Sequence, residues 1–147
     1  MTKLHPETVA AWIALATANR SLLEGIETAL KCAGLPALAW YDALLEIEKA
    51  GETGIRPYEL RQKLLLPQYG TSRLIDRIAA AGLIAKLACE DDGRGFIVRI
   101  TEQGVSVRHV MWPVYAGQLS ELVQARMTKD ELVVLGALLK KLTSKLP

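Results

Sequence analysis

Cysteine and histidine are scarce in this chain, with two of each, and their placing removes several classes of protein. Cys32 and Cys89 lie far apart and belong to no CxxC pair, so neither a disulfide framework nor a structural zinc site is signalled. His5 and His109 supply no metal-ligand spacing, and no metal or cofactor is expected. No apolar run approaches the roughly 18 to 20 residues that cross a bilayer. The N-terminus lacks a basic segment followed by an apolar secretory core, so the expectation is a soluble cytoplasmic protein without a membrane partner. A Ser-His-Asp order, a glycine-rich phosphate loop and a pair of catalytic carboxylates are all missing. Asp91 and Asp92 are neighbours on one turn and cannot flank a substrate, so no enzyme is expected.

What is present is apolar and mostly helical in pattern. Of 147 residues 50% are hydrophobic and only 5% aromatic, which is enough to bury an ordinary core and suits a single domain spanning 1–147. The net charge of +2 is too small to imply a polyanionic partner. Its distribution is more telling. Between Arg56 and Arg77 stand five bases, Arg56, Arg61, Lys63, Arg73 and Arg77, against two acids, Glu59 and Asp76.

Along the chain the spacing predicts helix, helix, two short helices, a hairpin and two more helices. The first helix starts near Pro6 and carries Val9, Trp12, Ile13, Ala16, Leu23, Ile26 and Leu30 at three- and four-residue steps, ending near Gly34. The second runs from about Ala37 to Ala50, with Trp40, Tyr41, Leu44, Leu45 and Ile47 on its apolar face and Gly51 at its end. A short helix from Pro57 turns Leu60 and Leu64 inward, and Pro67 restarts a helix that reaches about Ala81. In that helix Leu74, Ile75 and Ile78 share one face, and Gln68, Thr71, Ser72, Arg73, Asp76 and Arg77 crowd the other.

Beyond Gly82, LIAKLAC and FIVRI alternate with period two around DDGRG, the pattern of an antiparallel hairpin whose tip presents Arg94 between Gly93 and Gly95. Asp91 or Asp92 is expected to pair with a nearby arginine and brace the tip. Thr101 caps a long helix expected to run through Met127 and to kink at Pro113. Thr128 to Glu131, TKDE, reads as a capping box that opens a last apolar helix. The fold class is therefore mainly α with a small antiparallel β hairpin, a winged helix-turn-helix. Its winged part spans 37–104, and 1–36 with 105–147 make a helical part.

Two short helices joined by a turn and followed by a hairpin suit docking on double-stranded DNA, with the second helix in a major groove and the hairpin tip at the adjoining minor groove. On that reading Arg73 and Arg77 contact bases or phosphates, Gln68, Thr71 and Ser72 read by hydrogen bonds, and Tyr69 stacks on sugar or touches phosphate. Arg56 and Lys63 are nonspecific phosphate neighbours, and Arg94 enters the minor groove. Two alternatives stay open: a winged helix used only for protein interaction, and, for a redox-sensing regulator, oxidation of Cys32 or Cys89.

In its RPYEL, SRLIDRIAAAGLI, DDGRG and ITEQG segments, in that order, the sequence resembles the MarR family of bacterial transcriptional regulators. It departs from the family at Lys86, where arginine is common, and at Gly70, read as lying inside the recognition helix. The resemblance implies a homodimer on a roughly palindromic operator, joined through the terminal helices. It also implies release by a small aromatic or phenolic effector, for which Trp12, Trp40, Tyr41, Trp112 and Tyr115 are candidate walls, and Asp42 and Arg77 candidate polar anchors.

Overall fold

The computed structural model describes residues 1–66, 70–89 and 95–145. Pro67, Gln68 and Tyr69, and the hairpin residues Asp91, Asp92, Gly93 and Arg94, lie outside the described residues. The expectations placed on them are not addressed by the structure.

Among the described residues six α-helices and a two-stranded antiparallel sheet follow in the order α1 (Pro6–Cys32), α2 (Leu38–Ala50), α3 (Pro57–Lys63), α4 (Thr71–Ala80), β1 (Ile84–Ala88), β2 (Phe96–Ile100), α5 (Glu102–Leu122) and α6 (Lys129–Thr143). Single 3-10 turns, Gly51–Thr53 and Gln124–Arg126, follow α2 and α5. Glycine ends two helices in the same way. After α1, Leu35 N–H bonds Leu30 O (2.9 Å) and Gly34 N–H bonds Lys31 O (3.0 Å), with Gly34 at φ 71°. After α4, Leu83 N–H bonds Ile78 O (3.2 Å) and Gly82 N–H bonds Ala79 O (2.9 Å), with Gly82 at φ 80°. Both are Schellman closures, which return the last carbonyls of the helix to hydrogen bonding and turn the chain sharply.

The contacts divide the chain into two compact units, Leu30–Val114 on one side and Met1–Ala29 with Tyr115–Pro147 on the other. The core of the first unit is built from Ala43, Leu44 and Ile47 of α2, Leu60 of α3, Leu74, Ile75 and Ile78 of α4, and Ile55, Leu83, Ile84 and Val98. Leu44, Ile47, Leu60, Ile75, Ile78 and Val98 are wholly buried, and removing one such side chain typically costs about 2–5 kcal/mol. In the hairpin Ile84 faces Ile100, Lys86 faces Val98 and Ala88 faces Phe96. Ile55 adds a bridge to the free edge of β2, with N–H to O distances of 3.1 and 2.9 Å to Val98. Lone bridges of this kind leave no periodic trace in a sequence.

The second unit is less covered. Where α1 meets α5, a Cβ placed on Gly25 would lie 2.8 Å from Leu122 Cδ1, so the two helices approach as closely as a glycine permits. Yet Val9, Trp12 and Ile13 of α1 and Val133, Val134, Leu138 and Leu142 of α6 are exposed, and α6 has no buried residue. The capping box is formed: Thr128 Oγ1 accepts from Glu131 N–H (3.1 Å), and Glu131 Oε1 accepts from Thr128 N–H (2.9 Å).

Three boundaries differ from the expectation. The described part of the fourth helix begins at Thr71, and Gly70 is its N-cap at φ −136°, outside the helix and not within it. The fifth helix continues through Pro113 but stops at Leu122 and tightens to a 3-10 turn, short of Met127. The first strand starts at Ile84, because Leu83 is taken up by the closure of α4.

Candidate nucleic-acid interface

The face of α4 is set by its spacing. Thr71, Leu74, Ile75 and Ile78 are buried at i, i+3, i+4 and i+7, which turns Ser72, Arg73, Asp76 and Arg77 outward. Thr71 thus departs from the reading face on which it was expected. It is 9% exposed, and its Oγ1 is buried without a hydrogen-bond partner. Its methyl group occupies a core-spaced position at the start of the helix, where packing outweighs the hydroxyl's preference for water.

Asp76 is the only acid on this face, and it pairs with Lys86 of β1. The Lys86 ammonium also sits 5.1 Å from the centroid of the Phe96 ring on β2, so one side chain links helix, strand and hairpin partner. Among the described residues Arg73 and Arg77 form no ion pair, so the exposed face of α4 carries two guanidiniums and a hydroxyl beside a neutralised carboxylate. Lys63, at the end of α3, is exposed, and Arg56, the N-cap of α3, is half-buried.

Two clefts adjoin this surface. One, of about 320 Å³, lies between the start of α2 and α4 and is lined by Ala37, Ala39, Trp40, Gly70, Arg73, Leu74 and Arg77. The other, of about 550 Å³, lies over the outer face of the hairpin and is lined by Thr53, Arg56, Leu87, Ala88, Cys89, Ile97 and Arg99.

The chain leaving α3 is held from α2. Asp42 Oδ2 accepts the N–H of Leu66 at 3.0 Å, and its carboxylate also receives the N–H of Leu65. Burial pushes the Asp42 carboxyl above its ordinary value; the two amides oppose that rise and the charge of Glu46 adds to it.

Residues 33–95, which include α2 to β1, match the model of the MarR family. That stretch of the chain resembles the MarR family. The chain is also similar to the multiple antibiotic resistance protein MarR of Escherichia coli, with 29% identity over 87 residues, covering 59% of this chain and 60% of that protein. The match thus spans less than two thirds of that relative's length. The fold is also that of Sco3205, a MarR family transcriptional regulator from Streptomyces coelicolor solved in complex with DNA. The TM-score is 0.87 at 19% identity, over 97% of this chain and 89% of that one. A cysteine-to-serine mutant of MarR from Escherichia coli, solved with operator DNA, has a TM-score of 0.81 at 24% identity over 97% of this chain and 100% of that one.

In this chain the candidate effector residues fall in separate places. Trp40 lines the cleft beside Arg77, as a wall and an anchor would. Tyr41 is buried and stacks on Trp112 of α5, with ring centroids 5.9 Å apart and planes at 20°. Arg108 lies over the Tyr41 ring at 5.9 Å and pairs with Glu48, which fastens α5 to α2. Partial burial lowers the Arg108 pKa, but hydrogen bonds to Glu48 and Tyr41 more than offset it and hold it above its ordinary value. Asp42 holds the chain leaving α3. Trp12, exposed, and Tyr115, half-buried, belong to the second unit. Cys32 is exposed and Cys89 half-buried, both as free thiols. Among the described residues no cluster of His, Cys, Asp and Glu could hold a metal, and no helix is long and apolar enough to cross a membrane.

Two residues of this surface escape a reading of the sequence. Arg99 is exposed on the outer face of β2 and shares a cleft with Arg56; its position opposite in phase to Val98 is the available signal. Lys86 stands out in the sequence only as a departure from the family, whereas it is the partner of Asp76.

Proposed function

We propose that the protein is a transcriptional regulator that binds double-stranded DNA in a sequence-specific manner, with α4 as its recognition helix. The observation that carries this reading is the outer face of α4, where Ser72, Arg73 and Arg77 stand free of ion pairs among the described residues while Lys86 offsets Asp76. Guanidiniums suit both phosphates and the paired acceptors of guanine in a major groove. The two DNA-bound structures of the same fold support the placement. Arg56, Lys63 and Arg99 lie on neighbouring elements as phosphate contacts. Gln68, Tyr69 and Arg94 complete the interface as a reader, a backbone contact and a minor-groove contact.

The regulator acts as a homodimer on a roughly palindromic operator. Trp12 is 67% and Leu142 70% exposed, and such apolar residues recur along α1 and α6, an expanse that single chains in water rarely leave uncovered. The effector is a small aromatic or phenolic acid seated in the cleft of Trp40, Arg73 and Arg77. Occupying it engages the two cations of the reading face, so ligand and DNA compete for the same charges.

Selection of duplexes from a random library tests the reading. Enriched sites should show two inverted half-sites about one helical turn, roughly 34 Å, apart. A library that emerges unenriched would show that the chain does not read DNA sequence.

A further inference from the structure

We infer that Asp42 is a positioning residue for the recognition helix: from α2 its carboxylate gathers the Leu65 and Leu66 amides and so sets where the chain leaves α3 and how the first turn of α4 is presented. The inference rests on the DNA-binding reading above for its consequence, and on the geometry at the end of α3 for its mechanism.

The last hydrogen bond of α3 runs from Leu64 N–H to Leu60 O (3.1 Å), after which Leu64 turns to ψ 132° and the helix is over. The next two amides have left their helical carbonyls and need acceptors. Asp42 supplies one, 24 residues earlier in the chain, with 3.0 Å to Leu66 N–H. A carboxylate suits the task because its oxygens accept two neighbouring N–H groups at once, and charge shortens and strengthens both bonds.

From Leu66 the chain has four residue steps to Gly70, whose carbonyl opens α4 by accepting Leu74 N–H at 2.9 Å. Four steps reach at most about 14 Å, so an anchor at Leu66 confines Gly70 closely. Gly70 has no side chain with which to cap the helix. The inner residues Leu74, Ile75 and Ile78 fix the axis of α4. With the buried Thr71, the Asp42 anchor fixes its leading end, next to Ser72 and Arg73. Burial makes the charge of Asp42 costly, and Glu46, four residues along α2, adds repulsion although it pairs with Lys49 at 3.4 Å. An acid kept at such a site serves geometry over stability.

The test compares wild type, Asp42→Asn and Asp42→Ala in the full chain. The asparagine keeps an oxygen acceptor in place; the alanine keeps none. Binding is measured to a duplex enriched by the wild type and to a scrambled duplex, and amide hydrogen exchange is followed by NMR without DNA. Asp42→Ala should lose at least tenfold in affinity for the enriched duplex with little change on the scrambled one. Its Leu66 and first-turn α4 amides should exchange faster while Ile78 stays protected, and Asp42→Asn should restore both. Unchanged exchange at Leu66 and Thr71 to Leu74 in Asp42→Ala overturns the inference, as does an asparagine variant that behaves like the alanine. Failure of the wild type to prefer any duplex would overturn the DNA reading alone, since the exchange comparison decides the positioning by itself.

Discussion

A Cβ placed on Gly104 would lie 2.1 Å from the carbonyl oxygen of Leu83, well inside the 3.0 Å below which non-bonded contacts of real Cβ atoms essentially never fall. The close approach is part of one junction. Thr101 N–H bonds Leu83 O (3.0 Å), Thr101 Oγ1 donates to Gly82 O (2.7 Å), and the same hydroxyl accepts Gly104 N–H (3.1 Å) as the cap of α5. The exit of α4 and the entry of α5 are thus pinned to each other through a residue that has no side chain. Gly104→Ala should force the junction apart and cost about 1–3 kcal/mol, read as a lower denaturant midpoint in guanidinium. An alanine variant as stable as wild type would mean that the junction yields freely.

Much of this architecture is legible because punctuation residues stand where the chain turns. Gly34, Gly51 and Gly82 close helices, Pro57 opens one, and Thr128 with Glu131 forms the box its spacing announces. What escapes depends on contacts distant in sequence or on close approach. Gly70 reads as an interior helix residue, but it is the N-cap and the described helix opens at Thr71. The hydroxyl of Thr71 suggests the polar face, although its spacing to Leu74, Ile75 and Ile78 is that of a core position. The hold of Asp42 on Leu66 and the pairing of Lys86 with Asp76 join separate elements, and no local pattern encodes either.

The raised pKa of Asp42 has a definite sign in stability. A carboxyl whose folded pKa exceeds its unfolded value favours folding when protonated; that contribution is full below 3.8 and is lost as pH rises through the folded value. At neutral pH Asp42 is therefore charged at a cost. Asp42→Asn, which keeps the acceptor and cannot ionise, should be at least as stable as wild type near about pH 7, and wild type should gain on it as pH falls towards about 4. Denaturation of both proteins at the two pH values checks this. A gap that moves the other way would mean the hydrogen bonds, not burial, dominate the carboxyl.

The capping box gives the opposite sign. Glu131 is held below the usual carboxylate value by the backbone N–H and then the side chain of Thr128, so its contribution is present above the unfolded pKa and is lost as pH falls through the folded one. Thr128→Ala should cost about 1 kcal/mol in the helix it starts. It should also blunt the acid-induced fraying of α6, which amide exchange at Leu132 and Val133 would report.

Lys86 is expected to matter to DNA binding more than to folding. Its bridge to Asp76 is exposed on both sides, 37% and 62% for the two side chains, and exposed pairs of this kind contribute about 0–1 kcal/mol. Without the lysine, however, Asp76 would present an unbalanced negative charge between Arg73 and Arg77, against the phosphates. Lys86→Met should therefore weaken binding while barely changing the melting temperature, and adding Asp76→Asn should recover most of the deficit. A double variant as weak as the single one would show that Lys86 acts on DNA directly.

Arg77 separates phosphate attraction from the cleft beside it. A cation that neutralises one phosphate adds about 0.9 to the slope of log affinity against log salt. Arg77→Ala should flatten the slope by about that amount and weaken every duplex if the guanidinium touches phosphate. If it reads a base, its removal should instead cost about 1–3 kcal/mol on the enriched site and relax the preference at one position. Because the same guanidinium lines the cleft with Trp40, the variant should also lose any upward shift in melting temperature that a small aromatic carboxylate gives the wild type. Trp40→Ala provides the contrast: with no place of its own on the outer face of α4, it should abolish the ligand shift and leave the salt slope unchanged. If both variants alter the slope equally, Trp40 itself belongs to the DNA-contacting surface and is not a wall of the ligand cleft alone.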